Sequence, residues 1–344
     1  MNRAVGVALA FVVAALLSGS VAAAGTPSGA GALVPSVEIN GDVPATVTLK
    51  TSELALLPQQ TITVSIGGTS YTESGPYLSA LLTYAGVQYN SACKNDELRY
   101  WIEATSSNGQ AVALTAGEID PGFGNKPAIL SINQDGGFLT KSGPRLIVPG
   151  DATGSRDISH VSVITFGRAP AQLADVTPAC AATGAVSPAP TPGSIMINGD
   201  VAKPMTLTWS QLQAMSQTSQ NVSFLSGSSS TTDSESGPTL YSVIQPAQPK
   251  FLSCDSADNL RFYVEVTSSE DGYASLLSWT EIDPSLDNDS SLLSLIENGT
   301  SQQSVGPRLT VPGDVKGGRY VSGSAIVTVF RAPTEIRIPS CAKK

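Results

Sequence analysis

The sequence predicts a mainly β fold with a few short helices, built from two similar halves. Its 344 residues include 32 Gly and 23 Pro, a composition that favours short strands joined by turns. Segments such as Thr61–Ile66, "TITVSI", alternate polar and apolar residues as a half-buried strand does. The phrase "GPRL-VPGD", in which the hyphen marks one variable residue, stands at Gly143–Asp151 and returns at Gly306–Asp314. A chain of this length is expected to contain two domains, and the repeated phrase indicates that they are copies.

Local patterns predict the individual elements. Leu98–Ala104 and Leu260–Val266 place apolar residues on one face and are predicted strands. Apolar residues at helical spacing predict a helix over Tyr77–Val87, and Pro246 is expected to shorten its counterpart in the second half. The segment Thr208–Gln211 has the spacing of a capping box, which predicts a second short helix.

A tandem duplication explains the repeated phrases. Several short motifs recur in the same order, at offsets between 158 and 163 residues. They are "INGDV" (Ile39–Val43 and Ile197–Val201), "ESGP" (Glu73–Pro76 and Glu235–Pro238), "TSS" (Thr105–Ser107 and Thr267–Ser269), "EIDP" (Glu118–Pro121 and Glu281–Pro284) and "RAP" (Arg168–Pro170 and Arg331–Pro333). This period is too long for a solenoid unit, so each copy is expected to be a domain. The predicted domains span residues 35–180 and 194–341, joined by a Pro/Ala/Ser-rich linker over 181–193.

The amino terminus resembles a secretory signal peptide. Arg3 supplies the positive start, Val5–Leu17 is an apolar run, and Ala22–Ala24 offers small residues for cleavage. Residues 1–24 are therefore predicted to be a signal peptide, with an uncleaved anchor as the alternative. No later segment is apolar for long enough to form a transmembrane segment. We expect a secreted protein, either extracellular or periplasmic.

The four cysteines follow the duplication. Cys93 and Cys180 are 87 residues apart, as are Cys254 and Cys341. Of the three possible connectivities, only Cys93–Cys180 with Cys254–Cys341 respects the repeat, so two intradomain disulfides are predicted. The alternative is a pair of reactive or metal-binding thiols, which the absence of a CxxC motif and the single histidine disfavour.

Charge excludes one class of partner. The formal net charge is −9 and the pI is about 4.6, whereas nucleic-acid-binding proteins carry basic patches. Nucleic acid is therefore not an expected partner, and the partner is left as an unknown small molecule or protein.

The carboxylates of the repeated motifs are given structural roles. Glu118 and Glu281 lack a recognisable catalytic partner, and the chain has no GxSxG, HExxH, Walker or Rossmann pattern. No catalytic residue and no metal ligand is therefore assigned. The aspartates of "EIDP" precede Pro and are expected to end a helical turn: Asp120 and Asp283.

The arginines of the repeated phrase are expected to form ion pairs. Arg145 and Arg308 stand beside Pro at the start of a predicted strand, and the phrase leaves that strand through a Pro-Gly-Asp turn. Each arginine is expected to pair with a carboxylate of its own domain. Ligand binding is the alternative.

The order of these motifs resembles the molybdopterin-binding domain of the sulfite oxidase family. The resemblance covers nearly the whole of each repeat and includes "INGDVAKPMTLTWSQLQAM", "SGPYLSALLTYAGV", "DGYASLLSWTEIDP" and "GPRLTVPGDVKGGRYVSG". It implies an α+β, mainly β fold: two sulfite-oxidase-like mixed β domains with short helices.

The resemblance fails at the metal ligand. That family holds molybdenum through a cysteine thiolate, a soft ligand for a soft centre. The corresponding positions here lie around Ile66 and Gly67 in the first copy and Ser226 and Gly227 in the second, and none is cysteine. The family's tyrosine beside the metal is likewise replaced, by residues around Ile132 and Leu295.

The cofactor loop is the part of the resemblance that persists. Gly317, Gly318 and Arg319 are similar to the Gly-x-Arg stretch that cradles the pterin phosphate, which implies cofactor-binding roles for them in the second copy. In the first copy Arg156 is followed by Asp157, whose carboxylate would repel phosphate. The alternative for both loops is a Gly-rich turn between strands.

Two functions from different classes follow from these patterns. The first is a secreted protein of two molybdopterin-oxidoreductase-like domains with a non-catalytic binding or structural role and no cofactor. The second is a molybdopterin-dependent oxidoreductase that holds its cofactor in the second copy. Twin domains that bridge two partners are a further possibility.

Overall fold

The structure is a computed structural model. It describes residues 35–66, 68–151, 154–173, 180, 190–287 and 290–333. The predicted signal peptide, most of the predicted linker and Cys341 lie outside the described residues. We refer to residues 35–180 as the first half and to residues 190–333 as the second half.

The described part of the first half is dominated by strands. Its helices are α1 (Thr51–Leu54), α2 (Leu78–Tyr84) and α3 (Ala116–Ile119). Its strands are β1 (Ser36–Gly41), β2 (Val47–Lys50), β3 (Gln59–Ile66), β4 (Thr69–Pro76), β5 (Tyr100–Ser106), β6 (Ala111–Thr115), β7 (Ile129–Ser131), β8 (Asn133–Gln134), β9 (Gly137–Phe138), β10 (Arg145–Ile147) and β11 (Val161–Arg168).

The second half contains a corresponding series. Its helices are α4 (Trp209–Ala214), α5 (Leu240–Ile244) and α6 (Trp279–Ile282). Its strands are β12 (Ile195–Gly199), β13 (Met205–Leu207), β14 (Thr218–Ser226), β15 (Ser229–Gly237), β16 (Phe262–Ser268), β17 (Ala274–Ser278), β18 (Leu292–Ser294), β19 (Ile296–Glu297), β20 (Thr300–Ser301), β21 (Arg308–Thr310) and β22 (Ser324–Arg331). The prediction of a mainly β chain with short helices is confirmed.

Each half has a five-stranded sheet with the same strand order. The order is β2-β1-β11-β5-β6 in the first half and β13-β12-β22-β16-β17 in the second. In both sheets the first and last long strands pair in parallel, β1 with β11 and β12 with β22. A four-stranded sheet, β3-β4-β8-β9 or β14-β15-β19-β20, and a two-stranded sheet, β7-β10 or β18-β21, complete each half.

Residues at the ends of the short helices show why these helices begin and end there. The hydroxyl of Thr115 caps α3 and that of Ser278 caps α6, and each helix carries a capping box with a Glu at its third position. Asp120 and Asp283, which precede Pro, take extended backbone conformations and end the helices. The predicted capping box at Thr208 also forms, at the start of α4. The predictions for Asp120, Asp283 and Thr208 are confirmed.

The two halves pack together as one compact unit. Each has its own apolar core, and a smaller cluster is shared between them. In this shared cluster the ring of Trp101 on β5 stacks on Tyr263 on β16, with centroids 6.1 Å apart. Across the same interface, Arg261 Nε donates to Glu103 Oε1 over 3.1 Å, and both side chains are buried. The contact between the halves therefore combines aromatic packing with a buried ion pair.

One of the two predicted disulfides has both of its cysteines among the described residues. Cys93 is bonded to Cys180, with Cα atoms 5.4 Å apart. Cys254 is also disulfide-bonded, and Cys341, its predicted partner, lies outside the described residues. Within the described ranges, the helices are all too short or too polar to span a membrane.

Candidate ligand-binding cavity

The arginines of the repeated phrase bind carboxylates of the repeated "ESGP" motif. Arg145 Nη1 donates to Glu73 Oε1 over 2.9 Å. In the second half, Arg308 Nη1 lies 3.6 Å from Glu235 Oε1 and also contacts Glu297. The expectation that both arginines form ion pairs within their own half is confirmed. The recurrence of the phrase therefore reflects an ion pair that holds β10 to β4 and β21 to β15.

The glutamate of "EIDP" and the aspartate of "GPRL-VPGD" form a buried charge network with a following arginine in each half. Arg156 is fully buried, and its Nη2 lies 2.6 Å from Glu118 Oε1 and 2.7 Å from Asp151 Oδ1. Burial alone would raise the pKa of the Glu118 carboxyl, but Arg156 and Lys126 lower it to about 2. Arg156 Nη1 also donates to the Ser278 hydroxyl across the interface, over 3.1 Å.

The counterpart in the second half is centred on Arg319. Its side chain is 2% exposed, and its Nη2 lies 2.5 Å from Asp314 Oδ1 while Nη1 binds Glu281. This residue was predicted from the family resemblance to hold a phosphate. In the structure its guanidinium faces two carboxylates inside the protein.

The two predicted cofactor-binding glycines lie against aromatic rings. A Cβ added to Gly317 would lie 2.6 Å from a ring carbon of Phe224, and one added to Gly318 would lie 2.2 Å from a ring carbon of Phe123. Glycine is therefore required at both positions by the close approach of these rings.

A cavity of about 660 Å³ lies between the two halves. Its volume is within the range of small-molecule sites in proteins. Gly317, Gly318 and Ser226 are on its wall, so part of the predicted cofactor loop does face it. The first half contributes Lys94, Asn95, Glu97, Asp120, Gly122 and Phe123; the second half also contributes Phe224, Leu225, Gly227, Ser268, Glu270, Asp271, Tyr273, Arg308, Lys316, Tyr320 and Ser322.

Charges of both signs line this cavity in nearly equal number. Its basic groups are Lys94, Arg308 and Lys316, and its acidic groups are Glu97, Asp120, Glu270 and Asp271. Burial raises the pKa of Glu97, as does the nearby Asp120, whereas Lys316 lowers it. The wall therefore offers both donors and acceptors without a strong field of one sign.

Tyr273 joins the halves at the cavity wall. Its hydroxyl donates to the Gly318 carbonyl oxygen over 2.5 Å and accepts from Asn95 Nδ2 over 2.8 Å. The ammonium of Lys94 lies 5.2 Å from the centre of its ring. Burial raises the pKa of Tyr273 to about 12, so its hydroxyl remains a donor at neutral pH. Sequence patterns did not identify these residues, because the contact spans 178 positions.

Thiol and imidazole groups are absent from the described cavity wall. Its residues include no cysteine and no histidine. The single histidine, His160, is exposed, and its Nε2 contacts the carbonyl oxygen of Lys141 over 3.2 Å. Where the family resemblance implies a thiolate, the second half presents the hydroxyl of Ser226, a hard donor at the end of β14.

No family model matches the chain, and no curated protein does. Among solved structures the chain is similar to the sulfane dehydrogenase SoxCD from Paracoccus pantotrophus, with 18% identity and a TM-score of 0.33. The alignment covers 45% of this chain and 44% of that chain, so this chain spans less than half the length of the protein it resembles.

Proposed function

We propose that the protein is an exported, non-redox binding protein whose two molybdopterin-oxidoreductase-like halves enclose a site for a small polar molecule. The observation that carries the proposal is the cavity between the halves. Its mixed charges, hydroxyls and aromatic rings suit a neutral or zwitterionic ligand, since neither sign of charge dominates the wall. The paired cysteines and the amino-terminal signal-like segment support export.

Molybdopterin does not fit the residues at this site. The arginine that would bind its phosphate is held by Asp314 and Glu281, and Phe123 and Phe224 occupy the space beside the two glycines. Ser226 offers no soft anionic sulfur for the metal.

We expect the purified protein to contain neither molybdenum nor pterin. The protein would be produced in a host supplied with molybdate, and its metal content and oxidised-pterin fluorescence would be measured on the same sample. About one molybdenum per chain would overturn the proposal and favour an oxidoreductase with its cofactor in the second half. Arg319→Ala would then abolish the pterin signal, because that mechanism requires its guanidinium on the phosphate.

We expect Ser226→Trp to abolish ligand binding because an indole ring would fill part of the cavity. Thermal unfolding would be followed with a panel of monosaccharides, amino acids, polyamines and nucleosides. At about 100 times its Kd, a ligand of the native state stabilises by about 2.7 kcal/mol.

Ser230→Trp, on the exposed tip of β15, is the matched control. One ligand class should stabilise the wild type and this control but not Ser226→Trp. Equal responses of all three proteins would place the ligand elsewhere and count against the cavity.

A further inference from the structure

Strand β3 is an edge of the four-stranded sheet in the first half. The strand order is β3-β4-β8-β9, so one side of β3 pairs with β4, and the other side pairs with no strand among the described residues. Its register with β4 runs from Gln59 to Ile66 without a bulge. Natural edge strands are protected from pairing by charged residues, Pro or bulges. The sequence of β3, "QQTITVSI", contains neither a charged residue nor Pro, so the strand lacks these protections.

The alternation of hydrogen bonds shows which backbone groups of β3 point to its open side. Asp135 N donates to the Thr72 carbonyl oxygen over 2.8 Å, so Thr72 on β4 bonds away from β3. Its register partner on β3 is Thr63. Because bonding alternates along each strand, Thr63 bonds away from β4, as do the residues two positions to either side, Thr61 and Ser65. Within the described ranges, the outward N–H groups of these three residues have no acceptor.

The side chains of β3 suit pairing with a copy of the same strand. Those of Thr61, Thr63 and Ser65 are exposed, and those of Ile62 and Val64, on the opposite face, are half-buried. A two-fold axis at Thr63 places this residue opposite its own copy and Thr61 opposite Ser65. The same axis places Ile62 opposite Val64. Hydroxyl residues thus meet hydroxyl residues, and β-branched apolar residues meet each other, which are favourable cross-strand pairs.

Charge also favours this strand as the contact between two copies. Each chain carries a formal net charge of −9, so contacts between other parts of two such surfaces tend to bring like charges together. A contact at β3 brings none together, because all 8 residues of the strand are uncharged. The open backbone groups specify a β-strand as the partner, and the two-fold match of side chains specifies a second copy of this chain.

The corresponding edge in the second half is partly covered by the chain itself. Strand β14 is the edge of the sheet β14-β15-β19-β20. Near its end, Leu225 N donates to the Val315 carbonyl oxygen over 2.9 Å, and Leu225 forms an isolated bridge with Lys316. An edge of this kind therefore already accepts an extended segment as its partner elsewhere in the molecule.

We propose that two copies of the protein associate by antiparallel pairing of β3 with β3 of the second copy. The three outward-facing residues of each copy exchange about six backbone hydrogen bonds in all. The two four-stranded sheets then form one continuous sheet across the two-fold axis. One strand pair buries less surface than a standard interface, so the dimer is weak, with a Kd in the micromolar range.

Sedimentation equilibrium over a wide range of protein concentrations tests this dimer on the full chain. We expect a reversible equilibrium between monomer and dimer. Salt should strengthen the dimer, because it screens the repulsion between two acidic chains and the contact itself contains no ion pair.

Thr63→Pro removes the central outward N–H group and should raise the Kd of the dimer about tenfold or more. The matched control is Asn221→Pro. Asn221 pairs with Ser234 on β14 as Thr63 pairs with Thr72 on β3, and its N–H group also points away from the neighbouring strand. This control should leave the Kd unchanged.

Two other substitutions at the same position complete the test. Thr63→Lys places two ammonium groups opposite each other and should also weaken the dimer, which covers the case in which Thr63→Pro folds poorly. Thr63→Cys reports the register, because the Cα atoms of a hydrogen-bonded pair lie about 5.5 Å apart, within reach of a disulfide. We expect it to cross-link two copies under mild oxidation, and Ser70→Cys, exposed on β4, not to do so.

Three results would overturn the proposal. They are a monomer at every concentration, equal Kd values for the wild type and Thr63→Lys, and a dimer in which Thr63→Cys does not cross-link. Thr63 lies outside the described cavity wall, so each of these results leaves the proposed binding function to be decided by its own experiment.

Discussion

Glu265→Gln is expected to raise the free energy of unfolding at pH 8 by about 3 kcal/mol. Glu265 lies on β16, and its side chain is buried. Burial raises the pKa of its carboxyl to about 7, although a hydrogen bond from Thr267 and the charges of Arg99 and Arg168 lower it in part. In the unfolded chain a glutamate has a pKa of about 4.3. The native state therefore binds the proton more tightly, and the wild type loses stability as the pH rises from about 4.3 to about 7.

The glutamine variant cannot ionise and should lose this part of the pH dependence. Urea unfolding at a series of pH values from 4 to 8 would measure it, with the difference between variant and wild type growing through that range. Destabilisation by Glu265→Gln at pH 8 would contradict the prediction.

The corresponding residue of the first half provides the control, with the opposite sign. Glu103 lies at the same position on β5 but accepts a hydrogen bond from the buried Arg261. Glu103→Gln removes one of the two carboxylates that pair with that guanidinium, the other being Asp258 at 3.4 Å. It is expected to lower the free energy of unfolding by about 3 kcal/mol at pH 8.

Arg319→Ala is expected to destabilise the protein by about 3–5 kcal/mol, because it leaves the buried carboxylates of Glu281 and Asp314 without their cation. Urea denaturation would measure the change. The effect should shrink as the pH falls, since protonated carboxyls no longer need the positive charge.

Two comparisons separate this structural role from phosphate binding. Adding Glu281→Gln and Asp314→Asn to Arg319→Ala should recover part of the lost stability, because no buried charge then remains unpaired. A phosphate-binding arginine would behave differently: its removal would leave stability unchanged and abolish cofactor binding.

The sequence predicted the local elements because their causes are local. Alternation specified β3, and the capping-box spacing of Thr208 and Gln211 specified the start of α4. The ion pair of Arg145 could be anticipated because an arginine at a strand start lies beside the neighbouring strand, though its partner Glu73 could not be named. These predictions depend on strand pairing within one half.

The cavity and the surroundings of Arg319 could not be predicted in this way. A Gly-Gly-Arg stretch specifies a turn and a cation, but the direction of the guanidinium depends on where Glu281 and Asp314 come to lie. The sequence did contain one signal of this pairing. The carboxylates and arginines of the repeated motifs recur together in both halves, as is expected of oppositely charged residues that form ion pairs with each other. Contacts such as Asn95 with Tyr273 join residues of different halves, and no pattern within one half reports them.

The hydrogen bond from Asn95 to Tyr273 and the approach of Phe123 to Gly318 both cross between the halves at the cavity wall, so the wall is also part of the interface between the halves. A ligand bound in the cavity would therefore contact both halves and hold them together. The free energy of binding adds to the free energy needed to separate the halves. A substitution in the distant Trp101–Tyr263 stack that weakens the interface between the halves should therefore lower the affinity for the ligand, although neither residue lies on the cavity wall.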